Sequence, residues 1–76
     1  MIEVKSHKID GLLEIFPKQF GDHRGFFSET FNASRLADRG INTHFVQDNH
    51  SFSRDRWVLR GLHYQLPPIA QDKLVR

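Results

Sequence analysis

The sequence predicts a mainly β fold with one short helix. Short segments rich in β-branched and aromatic residues recur along the chain between turn-forming residues, which is typical of strands joined by turns. Residues 32–40 instead combine helix formers with a capping residue before them and a glycine after them. No repeat, low-complexity tract or flexible linker divides the 76 residues, so we expect one small domain.

The first two strands are predicted on either side of a tight turn. Ile2 and Val4 begin one apolar segment, and residues 12–16 form the next. The Asp-Gly dipeptide at 10–11 is a hairpin signal, because both residues tolerate the backbone angles of tight turns. Pro17 has no amide hydrogen to donate, which favours a strand end or an edge position there.

A loop, an aromatic strand and the helix are predicted next. Residues 20–27 have the pattern of a loop that is bracketed by glycines and enters an aromatic strand continuing through Phe31. Asn32 or Ser34 can cap the start of the helix with a side-chain oxygen. Gly40 lies where a left-handed C-terminal cap belongs, so the helix is expected to end just before it.

Three further strands are predicted in the second half of the chain. The candidates are residues 43–50, 57–65 and 73–76, with a polar loop at 51–56 and a proline pair at 67–68 as breaks. The last candidate stops in an apolar β-branched segment without a turn or a cap. We therefore expect a chain that is truncated at its C-terminus and carries unpaired strand edges.

Composition argues against several classes of protein. The net charge is only +2 and the basic residues are scattered among acidic ones, which is unlike a nucleic-acid or membrane surface. The absence of cysteine excludes disulfides and thiolate metal sites. No apolar run approaches the roughly 20 residues of a membrane span, and charged residues interrupt the N-terminus where a signal peptide would be apolar. We expect a soluble cytoplasmic protein.

Three longer strings carry the functional signal. They are residues 20–29, residues 45–51, and residues 58–65 followed by 67–76. In order and spacing they resemble the dTDP-4-dehydrorhamnose 3,5-epimerase family, and the resemblance extends over nearly the whole chain from Gly11 onward. It implies the N-terminal part of a cupin-like jelly-roll β-sandwich with one short helix, at about 32–40. A jelly roll has about eight strands, which agrees with an incomplete domain here.

The resemblance implies a cofactor-free reaction on a nucleotide sugar of dTDP-L-rhamnose biosynthesis, which supplies lipopolysaccharide or cell-wall polysaccharide. Epimerisation of dTDP-4-dehydro-6-deoxyglucose needs a base, a cation for the enolate oxygen and an acid on the opposite side. His63 matches the base, and a free imidazole has a suitable pKa of about 6.5. Lys73 matches the lysine that contacts the substrate and could stabilise the enolate. The acid tyrosine of the family is expected beyond residue 76.

Six further residues match substrate contacts of the family. Two of them, Arg24 and Arg60, suit a pyrophosphate because a planar guanidinium donates hydrogen bonds in pairs. Phe27 is a packing surface for the nucleotide. The substrate-binding set implied by the resemblance is Arg24, Phe27, Glu29, Gln47, Asn49 and Arg60. We expect the whole protein to be a homodimer with exchanged N-terminal strands and the 76-residue chain to be inactive. No cofactor, metal, nucleic acid or membrane is expected as a partner.

Strand periodicity supports part of this set. Alternate residues of a strand share a face, so Gln47 should lie beside Asn49, and Phe27 should point the same way as Glu29. Arg60 and His63 have opposite parity. A β-bulge at Gly61 would bring both to one side, and we state it as a hypothesis.

Alternatives remain open at this level. Metal-dependent cupins place two histidines at alternate strand positions, but here His63 is followed by Tyr64 and Gln65, which favours no metal. Taken singly, the residues have structural alternatives, with Arg24 and Lys73 as surface charges and Gly25 and Gly61 as turn glycines. Asp72 stands where the family often has glycine, and its carboxylate could compete for the ammonium of Lys73. The chain could also be a non-catalytic dTDP-sugar-binding or strand-pairing module, or a related cupin epimerase or ketoisomerase of another dTDP-deoxysugar.

Overall fold

The computed structural model describes residues 2–76, which fall into two compact units that meet between Asn42 and Thr43 in the sequence. All named elements belong to the first unit. In chain order they are β1 (Ile2–Ser6), β2 (Leu13–Pro17), β3 (Gln19–Asp22), β4 (Gly25–Ser28) and α1 (Ala33–Asp38). The predicted class, mainly β with one short helix, is confirmed for the described residues.

The first sheet is an antiparallel pair of β1 and β2 with Val4 opposite Ile15. Its two strands and the turn between them were predicted, and β2 ends at Pro17 as expected. The turn contains Gly11 with a φ of +83°, a backbone angle that suits glycine because it has no Cβ. A hydrogen bond of 3.1 Å from the amide of Leu12 to the carbonyl of Ile9 closes it.

A small core lies on one side of this sheet. Strand alternation places Ile2, Val4 and Ile15 on one face, and three charged residues together with Phe16 on the other. Ile2 is 4% exposed, and Leu36 of α1 is 3% exposed. Among residues 2–76 these are the two buried hydrophobic side chains, so the first unit depends on very little apolar burial.

The second sheet corrects the prediction of a loop over residues 20–27. β3 and β4 form an antiparallel hairpin in which Phe20 lies opposite Phe27. Asp22 and Gly25 hold the first and fourth positions of the turn, where aspartate and glycine are favoured. Aromatic side chains that face each other across two strands stabilise the pair. The prediction of a loop considered only the turn-forming residues and left this stabilisation out. The predicted continuation to Phe31 is also wrong, because β4 ends where its four-residue partner ends.

The helix begins with the side-chain cap that the sequence predicts. Of the two candidates, Asn32 is the N-cap, and its side-chain oxygen accepts a hydrogen bond of 3.1 Å from the amide of Arg35. Ser34 lies inside the helix. The cap satisfies one of the first amide groups, which have no partner within the helix.

The C-terminal end of α1 is a Schellman motif. Gly40 has a φ of +82°, and its amide donates to the carbonyl of Ala37 over 3.0 Å. The amide of Ile41 donates to the carbonyl of Leu36 over 2.9 Å. These two bonds satisfy carbonyl groups that the helix leaves free, as the position of Gly40 predicted.

The strands predicted at 43–50, 57–65 and 73–76 are absent from the second unit, whose residues are all described. Its one strand-like pairing is an isolated parallel bridge between Asn49 and Val75. A strand needs a neighbour for its amide and carbonyl groups, and here no neighbouring strand lies alongside. No bulge is present at Gly61, because a bulge presupposes a strand pair and none lies there. Residues 2–76 contain no helix with the length and apolar character of a membrane span.

Candidate active site

Arg24 lies in the turn of the β3–β4 hairpin, where Asp22 holds it. The carboxylate of Asp22 accepts from Nη2 of Arg24 at 2.6 Å and from Nε at 3.2 Å. It also accepts from the backbone amide of Arg24 at 2.8 Å. These hydrogen bonds lower the pKa of Asp22 and raise that of Arg24, the side-chain bond being the larger cause.

The guanidinium of Arg24 keeps free donors despite this pair. A guanidinium has five N–H groups, and Asp22 engages the one on Nε and one on Nη2, which leaves three. The side chain of Arg24 is 80% exposed. It can therefore bind an anion while it remains attached to Asp22.

Phe27 and Glu29 were predicted to lie in one strand, but of the two β4 contains only Phe27. Phe27 lies in β4 with 72% of its surface exposed, so an aromatic ring is available to a flat ligand. Glu29 follows the end of the strand, and its carboxylate lies 3.1 Å from Nε of Arg35 in the helix. Arg35 thus engages Glu29, which the sequence pattern had placed beside Phe27.

Gln47 and Asn49 lie side by side, as predicted, although no regular strand contains them. Nε2 of Gln47 donates to Oδ1 of Asn49 over 3.3 Å. The backbone of Asn49 is fixed by the bridge to the C-terminal residues, including a 2.9 Å bond from the amide of Arg76. The guanidinium of Arg76 adds an ion pair of 2.6 Å with Asp48. These contacts form the best-connected part of the second unit.

Arg60 is held by the polar loop that precedes it. Its Nε donates to Oγ of Ser53 and its Nη2 donates to the carbonyl of Phe52, each over 3.0 Å. Two N–H groups of the five are used, so three remain for a ligand. The arrangement is analogous to that of Arg24, except that a hydroxyl and a carbonyl replace the carboxylate.

His63 and Lys73 are exposed and lie outside regular secondary structure. Within residues 2–76, neither side chain has a hydrogen bond or an ion pair in the structure. The carboxylate of Asp72 accepts from Oγ1 of Thr43 over 3.1 Å and forms no ion pair with Lys73. The competition that the sequence suggested for this ammonium therefore does not occur, and the imidazole and the ammonium are both free to act on a ligand.

The structure joins only some of the predicted residues to one another. Among the described residues, one hydrogen bond links two members of the set, Gln47 and Asn49. Sequence reasoning missed the side chains that engage Arg24, Glu29 and Arg60, which are Asp22, Arg35 and Ser53 in that order. The spacing of Asp22 two residues before Arg24 across a turn was the one available signal, because aspartate at the start of a turn commonly binds the backbone two residues later.

Metal ligands are not gathered in the part of the chain that the structure describes. No group of three or more histidine, aspartate or glutamate side chains there could hold an ion. The groups that are present can accept a proton, neutralise negative charge and donate hydrogen bonds to an anion. Each of these capacities is one that acid–base chemistry on an anionic substrate uses.

Comparison with known proteins identifies the family. The family model described as dTDP-4-dehydrorhamnose 3,5-epimerase matches residues 6–76. The dTDP-4-dehydrorhamnose 3,5-epimerase of Shigella flexneri is 56% identical over 70 residues, 91% of this chain and 38% of the relative. That of Escherichia coli K12 is 53% identical over 70 residues, 91% of this chain and 37% of the relative. No solved structure matches the chain.

A further relative shows similar identity and coverage. A protein with the same description from Methanothermobacter thermautotrophicus is 48% identical over 68 residues, 90% of this chain and 36% of the relative. The chain belongs to the dTDP-4-dehydrorhamnose 3,5-epimerase family. It spans less than two fifths of the length of these three relatives.

Proposed function

We propose that this chain contributes the base and the cationic binding groups for 3,5-epimerisation of dTDP-4-dehydro-6-deoxyglucose. The observation that carries the proposal is the match over residues 6–76, which contains all eight residues of the predicted site. The exposed imidazole of His63 and the free ammonium of Lys73 support it. So do Arg24 and Arg60, each of which keeps three N–H donors for an anion.

The chemistry requires no redox step. The ketone at C4 acidifies the protons on C3 and C5, and the imidazole of His63 takes one of them. The electron pair of the broken C–H bond forms an enolate, whose oxygen the ammonium of Lys73 stabilises. A general acid then returns a proton to the same carbon from the opposite face, which inverts it. That acid is not among the residues assigned here, so the chain alone supplies half of the reaction.

Substrate binding is assigned to the remaining members of the site. The guanidinium groups of Arg24, in the first unit, and of Arg60, in the second, are each assigned to phosphate oxygens of the substrate, because planar paired donors match them. The nucleotide base is expected against the exposed ring of Phe27. Glu29, Gln47 and Asn49 are the polar groups left for the sugars and the base.

The architecture of the complete protein is part of the proposal. Two antiparallel hairpins are the building units expected of a cupin-like jelly roll, of which this chain would be a single incomplete domain. The exposed apolar segment around Trp57 and Leu62, which are 94% and 95% exposed, supports burial by further strands. A cytoplasmic homodimer that exchanges N-terminal strands would complete the assembly.

Solvent isotope exchange tests the catalytic assignment. The 76-residue chain is fused in place of the matched part of the Shigella flexneri relative, and deuterium uptake from D₂O into the keto sugar is measured. His63→Gln should lower uptake by about 10²- to 10⁴-fold, the contribution of one general base. His44→Gln, which changes an exposed histidine outside the assigned site, is the matched control. Equal uptake by the two variants would overturn the role of His63.

A second candidate function is a non-catalytic module that binds a dTDP-sugar or pairs through strand edges. The observation that favours it is the coverage of only 38% of the first relative. The unfused chain does not separate the two, because binding of dTDP without any deuterium uptake fits the module and also fits half of an epimerase. Uptake by the fusion protein then decides for the enzyme. A product epimerised at one carbon, or a shifted ketone, would instead indicate a related deoxysugar epimerase or ketoisomerase.

A further inference from the structure

Asp22 projects from the same side of the β3–β4 hairpin as two aromatic rings. Alternate residues of a strand share a face, so Asp22 lies on the face of Phe20. Directly opposed residues also share a face, which adds Phe27. We call this side of the hairpin the aromatic face. The ammonium of Lys18 lies 5.1 Å from the centre of the Phe20 ring.

The carboxylate of Asp22 restrains Arg24 at two levels. Its acceptance of the Arg24 amide at 2.8 Å fixes the turn, because an aspartate bound to the amide two residues later forms an Asx-turn. Its contacts with Nε and Nη2 fix the end of the side chain. Arginine has several rotatable bonds, and a turn arginine without such contacts would sample many directions. The guanidinium is instead held at the turn end of the aromatic face.

We propose that Asp22 is a positioning residue that holds the Arg24 guanidinium at the turn end of the hairpin face that carries Phe27, so that one nucleotide can meet both. The inference rests on the proposed function, in which Arg24 binds the diphosphate and Phe27 packs against the base. Because the three unused N–H groups of Arg24 remain exposed, Asp22 arranges the binding group without occupying it. Arginine that is ordered before the ligand arrives loses less entropy on binding.

Positioning and charge repulsion predict opposite changes in dTDP affinity when the Asp22 carboxylate is removed. The direction of the measured change therefore tests the inference. A carboxylate beside a diphosphate repels it, so its removal should tighten binding if charge dominates. If positioning dominates, its removal should weaken binding by about two- to tenfold, the cost of ordering one long side chain. Asp22→Asn is the sharp variant, because the amide oxygen can keep the Asx-turn while the charged two-oxygen acceptor is lost.

The experiment is an NMR titration of the 76-residue chain with dTDP, with ¹⁵N relaxation of the Arg24 Nε–H group recorded in parallel. The expected result for Asp22→Asn is a weaker Kd and a more mobile Arg24 side chain, with cross-strand contacts of Phe20 and Phe27 retained. Asp22→Glu should recover part of both effects. Asp10→Asn, which changes another exposed turn carboxylate of the same unit, should alter neither.

The outcomes separate this inference from the proposed function. If the chain without substitutions binds dTDP and Asp22→Asn binds it equally well or more tightly, the positioning role is overturned and the proposed function stands. The same holds if the Arg24 side chain is equally mobile with and without the Asp22 carboxylate. Failure of the unchanged chain to bind dTDP overturns the assigned binding site, and the positioning role with it.

Discussion

Oδ2 of Asp22 lies 2.6 Å from Nη2 of Arg24, and Oδ1 of the same carboxylate lies 2.8 Å from the Arg24 backbone amide. One short side chain therefore fixes both the turn of a hairpin and the direction of a candidate substrate-binding arginine. Because the pair is exposed to solvent, it contributes little to the net stability of the fold, and its main effect is to orient the Arg24 side chain.

The Asp22–Arg24 pair predicts a specific pH dependence. The pKa of Asp22 lies below its usual 3.8, mainly because the Arg24 side chain and then the Arg24 amide donate to the charged carboxylate. A lowered folded-state pKa means that the pair stabilises the hairpin above the unfolded-state pKa, and that this contribution is lost as pH falls through the folded-state value. We expect ¹³C NMR titration of the Asp22 carboxyl to give a higher midpoint in Arg24→Gln. Lys8→Gln is the control, and equal midpoints in all three chains would refute the coupling.

Removal of the Ser53 hydroxyl should loosen Arg60. Ser53→Ala deletes the acceptor that lies 3.0 Å from Nε of Arg60, while the contact with the Phe52 carbonyl remains. Exchange of the Arg60 Nε–H with solvent should become about two- to tenfold faster, which corresponds to the net value of one hydrogen bond. Ser51→Ala serves as the matched variant, because the Ser51 hydroxyl donates to the Arg76 carbonyl and not to Arg60. Identical exchange in both variants would argue against the contact.

Leu36 should dominate the stability of the first unit. It is one of two buried hydrophobic side chains in the described chain, and replacement of a buried leucine by alanine costs about 2–5 kcal/mol. We expect Leu36→Ala to lose the helix and the sheet signals together in urea unfolding followed by circular dichroism. Leu12→Ala, at a side chain that is 50% exposed, should change the midpoint much less. Similar midpoints for both variants would contradict this small core.

A side chain at Gly40 should destabilise the end of α1. The φ of +82° lies in the left-handed region, which costs an alanine about 1–2 kcal/mol. Gly40→Ala should therefore lower the melting temperature and speed hydrogen exchange at the Ile41 amide. Gly21→Ala is a suitable control, because its Cβ would meet only the Gly25 carbonyl oxygen, at an ordinary 3.6 Å. An equal loss of stability in both variants would count against the cap.

The site was predicted as a set of residues, and the structure supplies their surroundings. The three strings of sequence identified the family and named eight candidate residues, because family motifs preserve spacing. They did not reveal that Arg35 engages Glu29 or that Ser53 engages Arg60. Such pairings form between side chains that the fold brings within about 3 Å of each other. The spacing of residues along the chain does not predict which side chains these are.

Residue order alone was enough for the features that are decided within a few positions. The turn at Gly11 and the left-handed Gly40 follow from the steric preferences of single residues, and hydrogen-bonding preference narrowed the cap to Asn32 or Ser34. Strand formation after Thr43 did not follow from residue order, since the apolar β-branched segments there remain without partner strands. The β3–β4 hairpin, in which Phe20 lies opposite Phe27, likewise required the register of two strands. Pairing depends on a neighbouring strand elsewhere in the chain, so local preference permits a strand but does not create one.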